Sequence, residues 1–210
     1  MSYNPVEVDI KEIKAEKYFR RPKNGHISDY RITDIGKYSI ASIWLSNHVG
    51  AILRTYTDKK RPTITDATGG IGGNTMGFSR YFSHVNSVEE NKIHHEILKS
   101  NVNVYGAKNI KVIKGNYDTK FRTLKQDILF IDPPWGGPDV LRKKNVNLKF
   151  ARHNLWQAAK RYATASDGRL VVAFNLPRTY DFGKFISNNA YFEKVTIHNI
   201  NRNVKLLVCH

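Results

Sequence analysis

The sequence predicts an α/β fold on an open, doubly wound and mostly parallel sheet, and three observations carry that reading. Short apolar or β-branched runs recur at Thr63-Ile64-Thr65, Val85-Asn86-Ser87-Val88, Ile110-Lys111-Val112-Ile113 and Ile128-Leu129-Phe130-Ile131, with helical patterns between the early ones. The first run opens into Gly69-Gly70-Ile71-Gly72-Gly73 and then a helical pattern, the nucleotide-binding corner of such a sheet. The chain closes on two alternating runs, 191–200 and 204–210, joined by Asn201-Arg202-Asn203 and read as an antiparallel pair.

Taken in order, residues 1–36 are polar and charged. Lys17, Arg20, Arg21 and Lys23 surround Tyr18 and Phe19, a mixture that suits a nucleotide contact or a solvated arm, and Asn24-Gly25 signals a turn. Residues 39–56 place apolar side chains on one helical face, with Ser39 as the expected N-cap. Pro62 stops that helix, so residues 1–56 read as a small N-terminal helical extension and 57–210 as the α/β domain. The glycine turn should start a helix through Phe82, and a second helix should run from Asn91 to about 104, capped by Gly106. His94 and His95 on it read as surface or packing residues. Beyond the fourth strand come a basic loop at Arg142-Lys143-Lys144, a helix over 154–165, a fifth strand over 169–174 and a short helix over 181–188.

Composition narrows the partners. Lys and Arg number 34 against 18 Asp and Glu, and a net charge of +16 points to a polyanion, nucleic acid being the commonest. A generally basic surface without a dedicated groove is the plainer alternative. Cys209 is the only cysteine, which excludes an intramolecular disulfide and a thiolate metal cluster, and no metal site is expected. No apolar stretch approaches a membrane span and Met1-Ser2-Tyr3 starts no signal peptide. An intracellular, soluble protein of cytoplasm or nucleus is expected.

Four successive strand ends carry polar groups: Asp66 with the glycines, Glu89, Asn116 and Asp132. Glu89 lies at the tip of the second strand about 20 residues beyond the glycines, the place of an acid that takes two ribose hydroxyls. In Asp132-Pro133-Pro134-Trp135-Gly136-Gly137 the prolines stiffen the turn, the indole offers a flat π-face and the glycines admit a ligand to the backbone. A carboxylate, rigid carbonyls and an aromatic plane suit a planar base held by its exocyclic amine. The series predicts a class I S-adenosylmethionine-dependent methyltransferase with a Rossmann-like seven-stranded sheet.

Asp66-Ala67-Thr68-Gly69-Gly70-Ile71-Gly72-Gly73-Asn74-Thr75 and Asp132-Pro133-Pro134-Trp135-Gly136-Gly137-Pro138 resemble two motifs of the trimethylguanosine synthase family of RNA cap methyltransferases. Leu176-Pro177-Arg178 after an apolar strand and the stretch 101–106 resemble that family too, over roughly residues 37–208. The likeness is to a compact catalytic core, Asn- and Lys-rich in a way that suits a virus or an AT-rich genome; a viral member would act in the host cytoplasm. It implies that Asp66, Gly70 and Glu89 contact S-adenosylmethionine, with Asn116 near the adenine amine. The rest of the motif (Thr68, Gly72, Asn74, Thr75) and Asp132 complete the implied cofactor set. Trp135 would stack on 7-methylguanine, Arg178 and Lys205 would hold the cap triphosphate, and Ser39 and Lys17 join the implied contacts to 7-methylguanosine-capped RNA. Asp132, Pro133 and Trp135 are the expected catalytic group: the Pro133 carbonyl and the Asp132 carboxylate accept the amine hydrogens and orient its lone pair. Two other readings compete, methylation of an exocyclic amine inside RNA or DNA (adenine N6 or guanine N2) and a non-catalytic cap- or RNA-binding partner.

Overall fold

Every predicted strand forms, and the apolar runs show why. In a computed structural model that describes residues 4–23 and 25–210, the elements fall into two compact units, Met1–Lys120 and Phe121–His210. The readings made on residues 1–3 and on Asn24 lie outside the described residues.

In the first unit, β1 (Glu7–Val8), α1 (Ala15–Tyr18), β2 (Ile32–Thr33) and α2 (Gly36–Ser39) precede α3 (Ile43–Arg54). Strands β1 and β2 pair as an antiparallel ribbon, so the extension is not purely helical. Phe19 itself belongs neither to a solvated arm nor to a nucleotide contact. It is 1% exposed, stacks on Tyr30 at 4.4 Å between centroids, and packs in one apolar cluster with Ile71, Met76 and Ile97. Ser39 is not the cap expected of it: Ile40 is extended at ψ 128°, which breaks the helix there. Ser42 is the N-cap instead, its hydroxyl accepting from the Leu45 amide at 3.2 Å.

Next come β3 (Thr63–Asp66), α4 (Gly73–Phe78), β4 (His84–Glu89), α5 (Lys92–Tyr105), β5 (Ile110–Lys114) and α6 (Tyr117–Lys120). Strands β3, β4 and β5 are parallel, with β4 in the middle; β3 and β4 are buried beyond their first residue, while the edge strand β5 is half-buried to exposed. Helix α4 ends at Phe78, short of the expected Phe82, and the chain continues to Phe82 as tight turns. Helix α5 starts on Asn91, whose carboxamide oxygen caps the amides of Ile93 and His94, and stops where Gly106 turns left-handed at φ 74°.

The second unit holds β6 (Ile128–Ile131), β7 (Lys149–Phe150), β8 (His153–Asn154), α7 (Leu155–Thr164), β9 (Val171–Pro177), α8 (Phe182–Ser187), β10 (Val195–Asn199) and β11 (Val204–Cys209). Strand β6 is wholly buried and runs parallel to β9, while β11 pairs antiparallel with both β9 and β10. Helix α7 opens on a capping box between Asn154 and Gln157 and buries Leu155, Ala158, Ala159 and Tyr162, the stripe its periodicity predicts. The seven long strands form one sheet in the order β10-β11-β9-β6-β3-β4-β5. Among the described residues no helix is long and apolar enough to cross a membrane, and no group of three or more His, Cys, Asp or Glu side chains could hold a metal.

Candidate active site

The glycine turn after β3 is held by two carboxylates. Asp66 is fully buried, and its oxygens accept from the Thr75 hydroxyl at 2.7 Å and the Thr68 amide at 3.2 Å. Since Thr75 spends its proton on Asp66, the Ser87 hydroxyl 2.6 Å away must donate to Thr75. Burial pushes the Asp66 carboxyl up to about 6, and these hydrogen bonds hold it from going higher. Glu89, at the tip of β4, accepts from the Gly70 amide at 2.8 Å with one oxygen and from the Asn91 amide at 2.7 Å with the other. It thus ties the glycine turn to the start of α5. Burial again dominates and raises it to about 7, with Glu90 and Asp66 adding repulsion against the pull of the two amides.

Gly70 and Gly72 have φ of 53° and 107°, a region open chiefly to glycine. They differ in surroundings from their neighbours. A Cβ on Gly69 would lie 2.5 Å from Ser87 and one on Gly73 2.8 Å from the Ala41 backbone, whereas one on Gly70 meets nothing closer than 3.9 Å. The open space therefore lies over Gly70, beside the Glu89 carboxylate. Asn74 is buried on α4. Asn116 stands apart from this network: its amide nitrogen donates to Glu90 at 2.7 Å and its oxygen accepts from the Asp118 amide at 2.8 Å. Ser39 and Lys17 are exposed, the former donating to the Ile35 carbonyl at 3.2 Å, the latter 5.2 Å above the Tyr18 ring.

In the second unit the Asp-Pro-Pro-Trp corner leaves the end of β6. Pro133 is buried, Asp132 and Trp135 are half-buried, and the Trp135 indole N–H donates to the Asn175 carbonyl on β9 at 3.3 Å. Gly136 and Gly137 have φ of 82° and 96°, and a Cβ on either meets nothing within 4 Å, so the backbone beside the indole is accessible. The pairing of β6 with β9 ends at Ile131↔Phe174, just before Asp132 and Asn175 in the chain. Asn175 is 4% exposed, and its carboxamide oxygen has no hydrogen-bond partner among the described residues. Sequence reasoning missed Asn175, because a polar residue inside an apolar run carries no signal of its own. The Arg178 guanidinium donates to the Leu141 carbonyl at 3.0 Å and Thr179 to the Val140 carbonyl at 2.9 Å, which ties down the 3-10 segment Pro138–Arg142. Lys205 on β11 donates to Asn199 opposite it on β10.

The sequence profile described as RNA cap guanine-N2 methyltransferase matches residues 61–209, most of the chain. The chain belongs to that family. Relatives include an uncharacterized protein of Acanthamoeba polyphaga mimivirus, 31% identical over 68% of this chain and 54% of its own length. The trimethylguanosine synthase of Schizosaccharomyces pombe is 31% identical over 71% of this chain and 64% of its own length. The chain thus spans between half and two thirds of these relatives. Among solved structures, the METTL16 methyltransferase domain superposes with a TM-score of 0.57 at 16% identity, covering 77% of this chain and 65% of that one. A methyltransferase of Geobacter sulfurreducens superposes at 0.52 and 15% identity, covering 78% and 77%. The fold is that of class I methyltransferases. The open space over Gly70 next to an acidic strand tip fits S-adenosylmethionine.

Proposed function

We propose that this chain methylates the exocyclic N2 of 7-methylguanosine in an RNA cap. The observation that carries the reading is the Trp135 indole, fixed by the Asn175 carbonyl and flanked by two glycines whose Cβ positions are open. 7-Methylguanine carries a delocalised positive charge, and stacking on tryptophan gains a cation–π contribution on the order of 1–2 kcal/mol when desolvated. Neutral guanine gains the stacking alone, so this ring selects the methylated base.

Glu89 takes the ribose hydroxyls of the cofactor, and Gly70 and Gly72 let it approach the backbone. Asp66 and Thr75 act through the turn they brace, since Asp66 has no exposed surface. Thr68 and Asn74 line the same turn, and Asn116 reaches the adenine amine from its place against Glu90. When bound, S-adenosylmethionine would supply an electrophilic methyl to the amine, leaving as the neutral thioether S-adenosylhomocysteine, and the methylated amine would release its surplus proton to solvent. The guanine amine is a poor nucleophile because its lone pair is drawn into the ring. The Pro133 carbonyl and the Asp132 carboxylate accept its hydrogens and turn that lone pair outward, and positioning of this kind supplies most of the rate. Arg178 and Lys205 hold the triphosphate, with Ser39 and Lys17 as further phosphate contacts.

Substitution at the indole tests the proposal. Trp135→Ala should raise KM for 7-methyl-GTP by about tenfold or more, in keeping with the lost stacking. Trp135→Phe should recover part of that loss, while affinity for S-adenosylmethionine stays within twofold of wild type. An Ala variant with unchanged KM for the 7-methylated nucleotide would remove Trp135 from the base site.

A further inference from the structure

Helix α7 presents a surface that the proposed chemistry does not use. A groove of about 430 Å³ is lined by Arg122, Trp156, Gln157, Lys160, Arg161 and Thr164, with Ala165 at its end. Trp156, Lys160 and Thr164 follow each other at four-residue spacing, one stripe along the helix, and Gln157, Arg161 and Ala165 form the next. Arg122 and Arg161 both lie over the Phe121 ring, at 5.1 and 5.4 Å from its centroid. Arg122, Lys160 and Arg161 thus bring three cationic side chains to one patch whose lining holds no carboxylate.

The sequence around the groove is one-sided in charge. From Val140 to Ser166 there is no Asp or Glu, but Arg142-Lys143-Lys144, Lys149, Arg152 and Lys160-Arg161 all fall there. Residues 121–210 carry 15 Lys and Arg against 6 Asp and Glu, a balance of +9, while the longer first unit carries 19 against 12, or +7. The basic excess is therefore densest in the unit that bears this groove. Trp156 is half-buried and lines the groove with part of its ring. A cationic track beside an aromatic plate suits a single-stranded polynucleotide, whose phosphates follow the charges while a base stacks.

We infer that the α7 groove binds the single-stranded RNA chain that follows the cap, a docking surface separate from the base site at Trp135. The inference takes the cap RNA of the proposed function as substrate and adds where its body is held.

The test compares 7-methyl-GTP with a capped single-stranded RNA of about 20 nucleotides, and measures binding of the same RNA uncapped. Lys160→Glu/Arg161→Glu should weaken RNA binding roughly tenfold at physiological salt and flatten the salt dependence by about 1.4 in log–log slope, two phosphate contacts' worth. It should raise KM for capped RNA in parallel and leave kcat/KM on 7-methyl-GTP within twofold. Because Arg161 stacks on Phe121, Lys160→Glu/Thr164→Glu serves as a second variant confined to exposed positions. RNA binding and capped-RNA kinetics equal to wild type in both variants would overturn the inference, as would an equal loss on 7-methyl-GTP. If wild type methylates neither cap substrate and the variants still lose RNA affinity, the groove stands and the cap assignment fails.

Discussion

Glu89 is the residue at which stability and binding pull in opposite directions. Its carboxyl titrates at about 7 in the folded chain against an ordinary 4.5, chiefly because it is buried. Between those values the folded state holds a proton that the unfolded state has released. The stabilisation is complete below about pH 4.5 and is lost as the pH rises through 7, on the order of 3 kcal/mol in all. Asp66, raised to about 6, leans the same way. The ribose hydroxyls need the ionised acceptor, so affinity for S-adenosylmethionine should climb several-fold from pH 6 to pH 8 in wild type. Glu89→Gln should flatten both the melting temperature and the cofactor affinity across that range, as melting curves and calorimetry would show. Parallel pH profiles in the two proteins would contradict this account. The position of Glu89 was legible because a strand tip at a set distance from the glycines is a spatial rule written in sequence. Ser87 and Asn175 were not legible, because their roles arise from what lies across the sheet from them.

At the scale of elements, α5 does more than cover the sheet. Asn101, fully buried on it, accepts from the Arg31 amide at 2.8 Å and donates to the carbonyls of Arg31 and Ile71, each at 2.9 Å. One carboxamide therefore fastens both the N-terminal ribbon and the glycine turn. Asn101→Ala leaves one buried and two half-buried backbone groups unpaired and should cost about 2–4 kcal/mol. Since Ile71 belongs to the turn, affinity for S-adenosylmethionine should fall with it. A melting temperature within 2–4 °C of wild type, a shift of about 1 kcal/mol in a chain of this size, would show that the clamp carries little. Helix α5 itself was readable from end to end, since an Asn cap and a left-handed glycine are local chemistry. The start of α3 was not, because Ser39 and Ser42 both qualify as caps and only the extended Ile40 between them decides. Phe19 misled for a related reason: it finds its partners, Tyr30 among them, on distant segments, and a basic local context hides that it is core.

For the whole molecule, the order of the polar strand ends and the net charge of +16 point to a methyltransferase with a polyanionic partner, and the resemblance of the two motifs adds the cap. Within the first unit that order survives because the parallel strands β3, β4 and β5 bring their carboxyl ends to one side. The α7 groove was invisible in the sequence, since charge spread along a chain does not say which helix face collects it. The central claim concerns the acceptor, and product analysis tests it most directly. Labelled S-adenosylmethionine is supplied with 7-methyl-GTP and with GTP side by side, and the nucleotides are separated and digested to locate the new methyl. Label on N2 of the 7-methylated nucleotide, with little or none on GTP, is the predicted result; label on both alike, or on neither while the protein binds its cofactor, would contradict the cap assignment.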